Sequence, residues 1–340
     1  MNQERIRRLF SIGILVLLVV ILSVTTEGFL TPNNIFTLLR DAAPIGIIAI
    51  GVSLVLFTGG IDLSTGALVG FVSMIGANLL YYTNLPAGLI MLIVLVAAIV
   101  CGYCNGLLVT TFHLPPFIAT LATQFVFRGL CLVMAIRNET GMITNQVIKS
   151  YPFLFLGGSI NGVYLVTIAW IILVVIFQFV IKKTKLGVYT FATGTNENAA
   201  SMSGINTART KRIAYTICGL MCGIAALFLM GKIKSVTQDT GKLMEFDVIS
   251  SVVVGGIAFS GGHGDIIGGV IGTLFMNTLT NGIYKYNLSL GFQVFAKGAV
   301  IVIMIIFDSV YNFFMQKRQI KEKAALEELE EKKEAQEAVS

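Results

Sequence analysis

The sequence predicts an all-α polytopic membrane protein, with about ten transmembrane helices, Gly-rich breaks in some of them, and two pseudo-repeated halves. Three observations predict it. Of 340 residues, 55% are hydrophobic and only 12% charged, with a mean hydropathy of +0.84, which is more apolar surface than one soluble core can bury. Apolar runs long enough to cross a hydrocarbon layer recur from end to end. Two glycine clusters, far apart in the chain, repeat the same spacing.

In order, the expected spans lie near 9–26, 42–59, 66–82, 88–111, 117–136, 163–181, 212–230, 248–260, 265–284 and 291–313. The first follows Arg5-Ile6-Arg7-Arg8 as in a signal peptide, but no small-x-small cleavage site precedes Glu27 and further spans follow. It therefore reads as an uncleaved helix. The second ends in Phe57-Thr58-Gly59-Gly60, and the third opens after Asp62 and Ser64, residues suited to capping a helix that restarts after a break. The fifth follows Leu114-Pro115-Pro116. Between the sixth and seventh lies the largest polar loop, 182–212, which carries a stretch of small residues. The last span ends in Asp308, and a charged Ala/Glu/Lys tail follows from 316 to 340. The expected organisation is a transmembrane domain over 1–315, containing the loop 182–212, and a cytoplasmic tail over 316–340.

Basic residues near span ends favour the cytoplasmic side. With the N-terminus inside, Lys and Arg divide about two to one in favour of the inner segments, which places both termini and the loop 182–212 in the cytoplasm. The net charge of +6 is then a topology signal, with no basic patch pointing to nucleic acid. Cys101, Cys104, Cys131, Cys218 and Cys222 all fall inside apolar spans and read as packing residues.

Phe57-Thr58-Gly59-Gly60, with Gly66 and Gly70 beyond it, is echoed by Phe259-Ser260-Gly261-Gly262, with Gly268 and Gly272. Consecutive glycines interrupt a helix and free backbone groups that lipid cannot satisfy, so both breaks belong inside protein or beside a watery cavity. Self-similarity of this kind is expected of transporters built from two repeats. A second echo is Gln124-x-x-x-Arg128-Gly129 against Gln293-x-x-x-Lys297-Gly298, each placing an amide and a cation on one helix face. Asn105 and Asn281, each before a glycine, complete the polar groups at membrane depth. Asp62, Ser64, Asn105, Gln124, Arg128, Asn281, Gln293 and Lys297 are candidates to line a translocation path; pairing with Asp62, Asp247 or backbone carbonyls is the alternative for the two cations.

No catalytic or metal-binding constellation is expected. His113 and His263 lack partners at motif spacing, and Gly261-Gly262-His263-Gly264-Asp265 lacks the Gly-Lys-Ser/Thr ending of a phosphate loop. No cofactor is expected on this chain, and any ATP would be bound by another subunit.

Several blocks in one order, Gly59-Gly60-Ile61-Asp62-Leu63-Ser64, Leu114-Pro115-Pro116-Phe117-Ile118-Ala119-Thr120-Leu121, Arg128-Gly129, Gly194-Thr195-Asn196-Glu197-Asn198-Ala199-Ala200, Ser203-Gly204-Ile205 and Val254-Gly255-Gly256-Ile257-Ala258-Phe259-Ser260-Gly261-Gly262-His263-Gly264, resemble the ribose-type sugar ABC transporter permease family over about 29–308. The resemblance implies a permease in a bacterial cytoplasmic membrane. It also implies a second permease copy, a cytoplasmic ATPase with two nucleotide-binding halves and an extracytoplasmic sugar-binding protein. The segment 196–205 resembles the helix that seats in a cleft of the ATPase. Asn196 and Glu197 would open that helix, Ala199, Ala200, Ser203 and Gly204 would give a slim surface, and Ile205 an apolar anchor. Glu245 and Asp247, expected on the outer side, would face a docking binding protein. The chain departs from the family pattern at Val188, where an Arg is common, and at Gly241-Lys-Leu-Met-Glu245. A stand-alone secondary transporter or channel, using Asp62, Arg128 or Lys297 for ion coupling, is the competing expectation.

Overall fold

The computed structural model describes residues 3–137, 143–289, 291–303 and 306, with backbone only for 3–8. The charged tail and the end of the last expected span, Asp308 included, lie outside the described residues. Residues Met1–Lys297 form one compact unit; within Gly298–Ser340 the described residues are helical.

The helices are α1 (Gln3–Thr25), α2 (Pro32–Phe57), α3 (Thr65–Tyr82), α4 (Ala87–Thr110), α5 (Pro116–Met134), α6 (Tyr151–Leu156), α7 (Leu165–Lys183), α8 (Lys185–Thr195), α9 (Glu197–Met202), α10 (Thr207–Ile233), α11 (Met244–Val254) and α12 (Ile266–Lys285). A further apolar helix, α13, spans Gly291–Ile303. Prolines open α2 and α5 in the first helical turn, where a missing N–H leaves no bond unmade. Among the described residues seven helices are long and apolar enough to cross a membrane: α2, α3, α4, α5, α7, α10 and α12.

The centre is built from α2 and α10. From Ala42 to Phe57 nearly every α2 side chain is buried whichever way it points, so this helix is enclosed by protein rather than lipid. By contrast, α4 and α7 expose apolar faces such as Leu92, Val96 and Val100 or Ile171, Val175 and Phe179, the surface that hydrocarbon would cover. The most extensive helix contact is between α4 and α10. It depends on two small-residue stripes facing one another, since a β-carbon at Gly102 would come 2.9 Å from Gly219 Cα and one at Gly223 would meet Ala98 Cβ at 2.7 Å. The Gly-x-x-x-Gly spacings therefore act in packing, as backbone-to-backbone approach requires.

Two expectations change. The apolar run 248–260 is not a full span: α11 has 11 residues, about 16 Å of helix against a layer of about 30 Å. It stops because Gly255 packs against the Gly268 carbonyl of α12 and Gly256 adopts φ +83°, so the chain turns away. The polar loop, in turn, contains two helices, α8 and α9, instead of one. Short antiparallel pairs β1–β4 (Gln146–Val147 with Ser235–Val236) and β2–β3 (Ser159–Ile160 with Val163–Tyr164) dress the opposite end of the bundle.

Candidate functional site

Three groups of residues matter, at successive levels along the helices. The first is where the two glycine breaks meet. Gly262 N–H donates to the Phe57 carbonyl at 3.0 Å, so Phe57-Thr58-Gly59-Gly60 and Phe259-Ser260-Gly261-Gly262 touch backbone to backbone. Gly59, Gly261 and Gly262 all have positive φ, a conformation that side chains resist. Gly194, near the end of α8, is wedged against this joint. A β-carbon there would overlap the Phe57 carbonyl and lie 2.5 Å from Gly262 N. Of the loop helices, α8 thus bears on both breaks at one point.

Behind the joint, the extended stretch between α2 and α3 is satisfied by side chains from three other helices. Tyr215 of α10 donates to the Ile61 carbonyl at 3.1 Å, Thr120 Oγ1 of α5 accepts from Leu63 N–H at 3.2 Å, and Asp62 Oδ1 accepts from Ser64 N–H and Ser64 Oγ at 2.9 and 2.6 Å. Asn105 Nδ2 of α4 donates to Ser64 Oγ at 2.8 Å. Asp62, Ser64 and Asn105 are all buried. Ser64 occupies the cap position of α3 but its side chain makes no cap bond to the helix. Within this chain Asp62, Ser64 and Asn105 form a buried hydrogen-bonded chain that holds the helix break.

The second group surrounds α11. Gln124 Nε2 donates to Glu245 Oε1 at 2.7 Å, Arg128 Nη1 donates to the Thr240 carbonyl at 2.7 Å, and Lys297 pairs with Asp247 at 2.7 Å. Gln293 is buried on the same helix as Lys297. Gln124 and Arg128 of one echo and Lys297 of the other therefore grip the start of this short helix, at 240–245 and at Asp247. The expected alternative, pairing of the cations with Asp247 and a backbone carbonyl, is what occurs. Glu245 is 2% exposed and Asp247 is engaged by Lys297. Removing one partner of the Asp247–Lys297 pair strands a charge in a poorly solvated place. Lys297→Met is expected to destabilise the protein by about 2 kcal/mol, and the Asp247→Asn/Lys297→Met double variant by less. Thermal unfolding of the wild type, Asp247→Asn, Lys297→Met and the double variant in detergent checks this; equal loss in the single and double variants would show that the pair contributes no coupling.

Beyond α11, towards the end of the bundle away from the loop, Asp41, Lys232, Asp247 and Lys297 line a cavity of about 200 Å³ together with Asn277 and Asn281. Asp41 pairs with Lys232 at 2.8 Å. The Asn281 amide exchanges hydrogen bonds with Asn34 at 3.2 and 3.3 Å. Of these residues, Asp41, Lys232 and Asn277 escape sequence reasoning, because they come from three different helices, α2, α10 and α12, and no local spacing links them.

The third group is the loop. Asn196 Oδ1 accepts from Ala199 N–H at 3.0 Å and caps α9, as expected; Asn206 caps α10 in the same way through Arg209 N–H at 2.8 Å. Glu197 pairs with Lys211, which fastens α9 to α10. Gly204, at φ +82°, and the Ile205 N–H bond to the Ala200 carbonyl at 3.1 Å close the helix. Ala199, Ser203 and Gly204 are exposed, whereas Ala200 is buried and faces the chain, so it leaves the presented surface. Ile205 is half-buried. The outward apolar group is Met202, 91% exposed, which sequence reasoning passed over because the phase of a six-residue helix depends on its first residue.

Broken helices meeting at a backbone joint, a half-length helix gripped by buried polar side chains and a capped helix standing off the bundle define a class: a polytopic permease whose loop helices contact its core. Residues 34–307 match the family model described as the branched-chain amino acid transport system / permease component, and the chain belongs to that family. It is 40% identical over 304 residues to the ribose import permease protein RbsC of Bacillus subtilis (strain 168), covering 86% of this chain and 90% of that one. It is 32% identical over 299 residues to RbsC of Escherichia coli (strain K12), covering 87% and 91%, and 31% identical over 303 residues to the fructose import permease protein FrcC of Rhizobium meliloti, covering 86% and 84%. No solved structure matches the chain.

Proposed function

We infer that this chain is the membrane-spanning permease subunit of an ATP-binding cassette importer, and that its solute is a monosaccharide, ribose or a related sugar. The observation that carries the inference is the 40% identity to a ribose import permease along nearly the whole of both chains. The family model is described for branched-chain amino acids, so the solute rests on the relatives. The chain is a transport subunit, and a partner ATPase binds and hydrolyses the ATP.

The cell-membrane topology we propose has ten helices, counting α1 and α13 with the seven long ones and α11 as a half-span that returns through the 255–265 turn. Both termini and α9 then lie in the cytoplasm, and the Asp41–Lys232 end faces outward. Two copies, or two related permeases, enclose the solute path, and each α9 docks on the ATPase through Asn196, Glu197, Ala199, Met202, Ser203 and Gly204. The matched breaks and matched cations support two repeated halves within 1–315, with 316–340 as a cytoplasmic tail. The binding protein supplies solute from outside. Ion coupling by a stand-alone transporter would need free ionisable groups, and Asp62, Arg128 and Lys297 are all committed to internal bonds.

Reconstituted with its neighbouring ATPase and binding protein, the chain is expected to show ATP hydrolysis stimulated by one sugar among a panel of pentoses and hexoses. ATP-independent flux through this chain alone, with no sugar stimulating hydrolysis, would overturn the assignment.

A further inference from the structure

The cavity lined by Asp41, Lys232, Asp247 and Lys297 has an unusual balance. Its two carboxylates and two ammonium groups are joined as ion pairs, at 2.8 and 2.7 Å, so the charged side chains that line it sum to zero; Arg40, which also pairs with Asp41 at 3.0 Å, is not part of the lining. An anion or a cation would find no unpaired counter-charge among these four groups, and an apolar solute would find charged walls. A neutral solute rich in hydroxyls is the chemistry that suits them, because each hydroxyl both donates and accepts, and an ion pair offers both at short range. At about 200 Å³ the cavity has the volume of about six or seven waters, the scale of one small sugar ring. Asn281 is occupied by Asn34, but Asn277, one turn away on the same helix, has no protein hydrogen-bond partner among the described residues and lines the cavity with a free amide.

We propose that this cavity is a solute site within the permease, where a neutral monosaccharide is held between the Asp41–Lys232 and Asp247–Lys297 pairs with Asn277 as its orienting amide. The proposal rests on the importer function inferred above and adds a place for the sugar in this chain. It also ties solute to the gripped helix: Asp247 belongs to α11, whose other end runs into the glycine joint.

The test uses the full complex in lipid nanodiscs. Asn277→Cys is made in a Cys101→Ser/Cys104→Ser background, since Cys131, Cys218 and Cys222 are buried. Its alkylation by a small thiol reagent is timed with unloaded binding protein, and then with binding protein loaded with D-ribose, D-fructose or D-galactose. The sugar that stimulates ATP hydrolysis is expected to slow labelling about threefold or more relative to the unloaded protein, and the others to leave it unchanged. Asn277→Leu is expected to raise the transport KM about tenfold with kcat within about twofold. If a sugar stimulates hydrolysis while labelling is the same with loaded and unloaded binding protein, the cavity is only a structural ion-pair cluster and this inference falls alone. If no sugar stimulates hydrolysis, the importer assignment falls and takes the inference with it. Where the cysteine at 277 prevents assembly, Thr280→Cys, on the same cavity wall, gives the same readout.

Discussion

Replacing Gly194 with valine is expected to abolish sugar uptake in cells while the chain still accumulates in the membrane. The side chain has nowhere to go. Its first carbon would overlap the Phe57 carbonyl and crowd Gly262 N, and both are backbone atoms of segments fixed by other bonds. Overpacking against backbone displaces whole elements, in contrast to a clash that a flexible side chain can absorb. The element displaced here is α8, which carries α9 at its end. Movement imposed on α9 by an ATPase would then no longer reach the two breaks, and uptake should fall more than about tenfold. Gly194→Ala, carrying the same first carbon with less bulk beyond it, should show a smaller defect in the same direction. Uptake of labelled sugar, normalised to the amount of permease in membrane fractions, measures this. Wild-type uptake by the valine variant would show that α8 and the breaks move independently.

A charge on the presented face of α9 should be equally damaging, for a different reason. Met202→Glu replaces the one large apolar side chain standing off this helix, and Ala199→Arg adds bulk and charge beside it. Neither position supports the fold, since both are exposed and the helix is held at its ends by the Asn196 cap, the Glu197–Lys211 pair and the Gly204 turn. Apolar anchors at the centre of an interface carry much of the binding energy, so loss of 2 kcal/mol or more, about thirtyfold in affinity, is expected for the ATPase. The ATPase should fail to co-purify with either variant, and uptake should be lost. Full co-purification and normal uptake would move the docking surface elsewhere in 182–212.

Much of this architecture is written locally in the chain. The breaks at Gly59-Gly60 and Gly261-Gly262 are legible because the two clusters repeat one spacing, and the cap at Asn196 is legible because its partner is three residues away. What is not legible is which distant segment answers which. Gln124 and Arg128 show that an amide and a cation share a helix face, yet nothing near them points to 240–245. Glu245 and Asp247 look like outer-loop carboxylates until Leu243, at φ +66°, starts a helix immediately ahead of them and turns them inward. The half-length of α11 had a local sign in Gly255-Gly256, but the apolar residues on both sides mask it, since hydropathy averages across a turn. Ala200 and Met202 exchange roles for a related reason: in six residues, a shift of one changes which side chain faces out.

The bond between Gly262 N and the Phe57 carbonyl joins the breaks through atoms that every amino acid possesses. Substitutions elsewhere in the helices leave that hinge chemically unaltered so long as the glycines stay. If the proposed site holds the solute, descendants of such a chain can change cargo by changing walls such as Asn277 while the backbone joint is inherited unaltered.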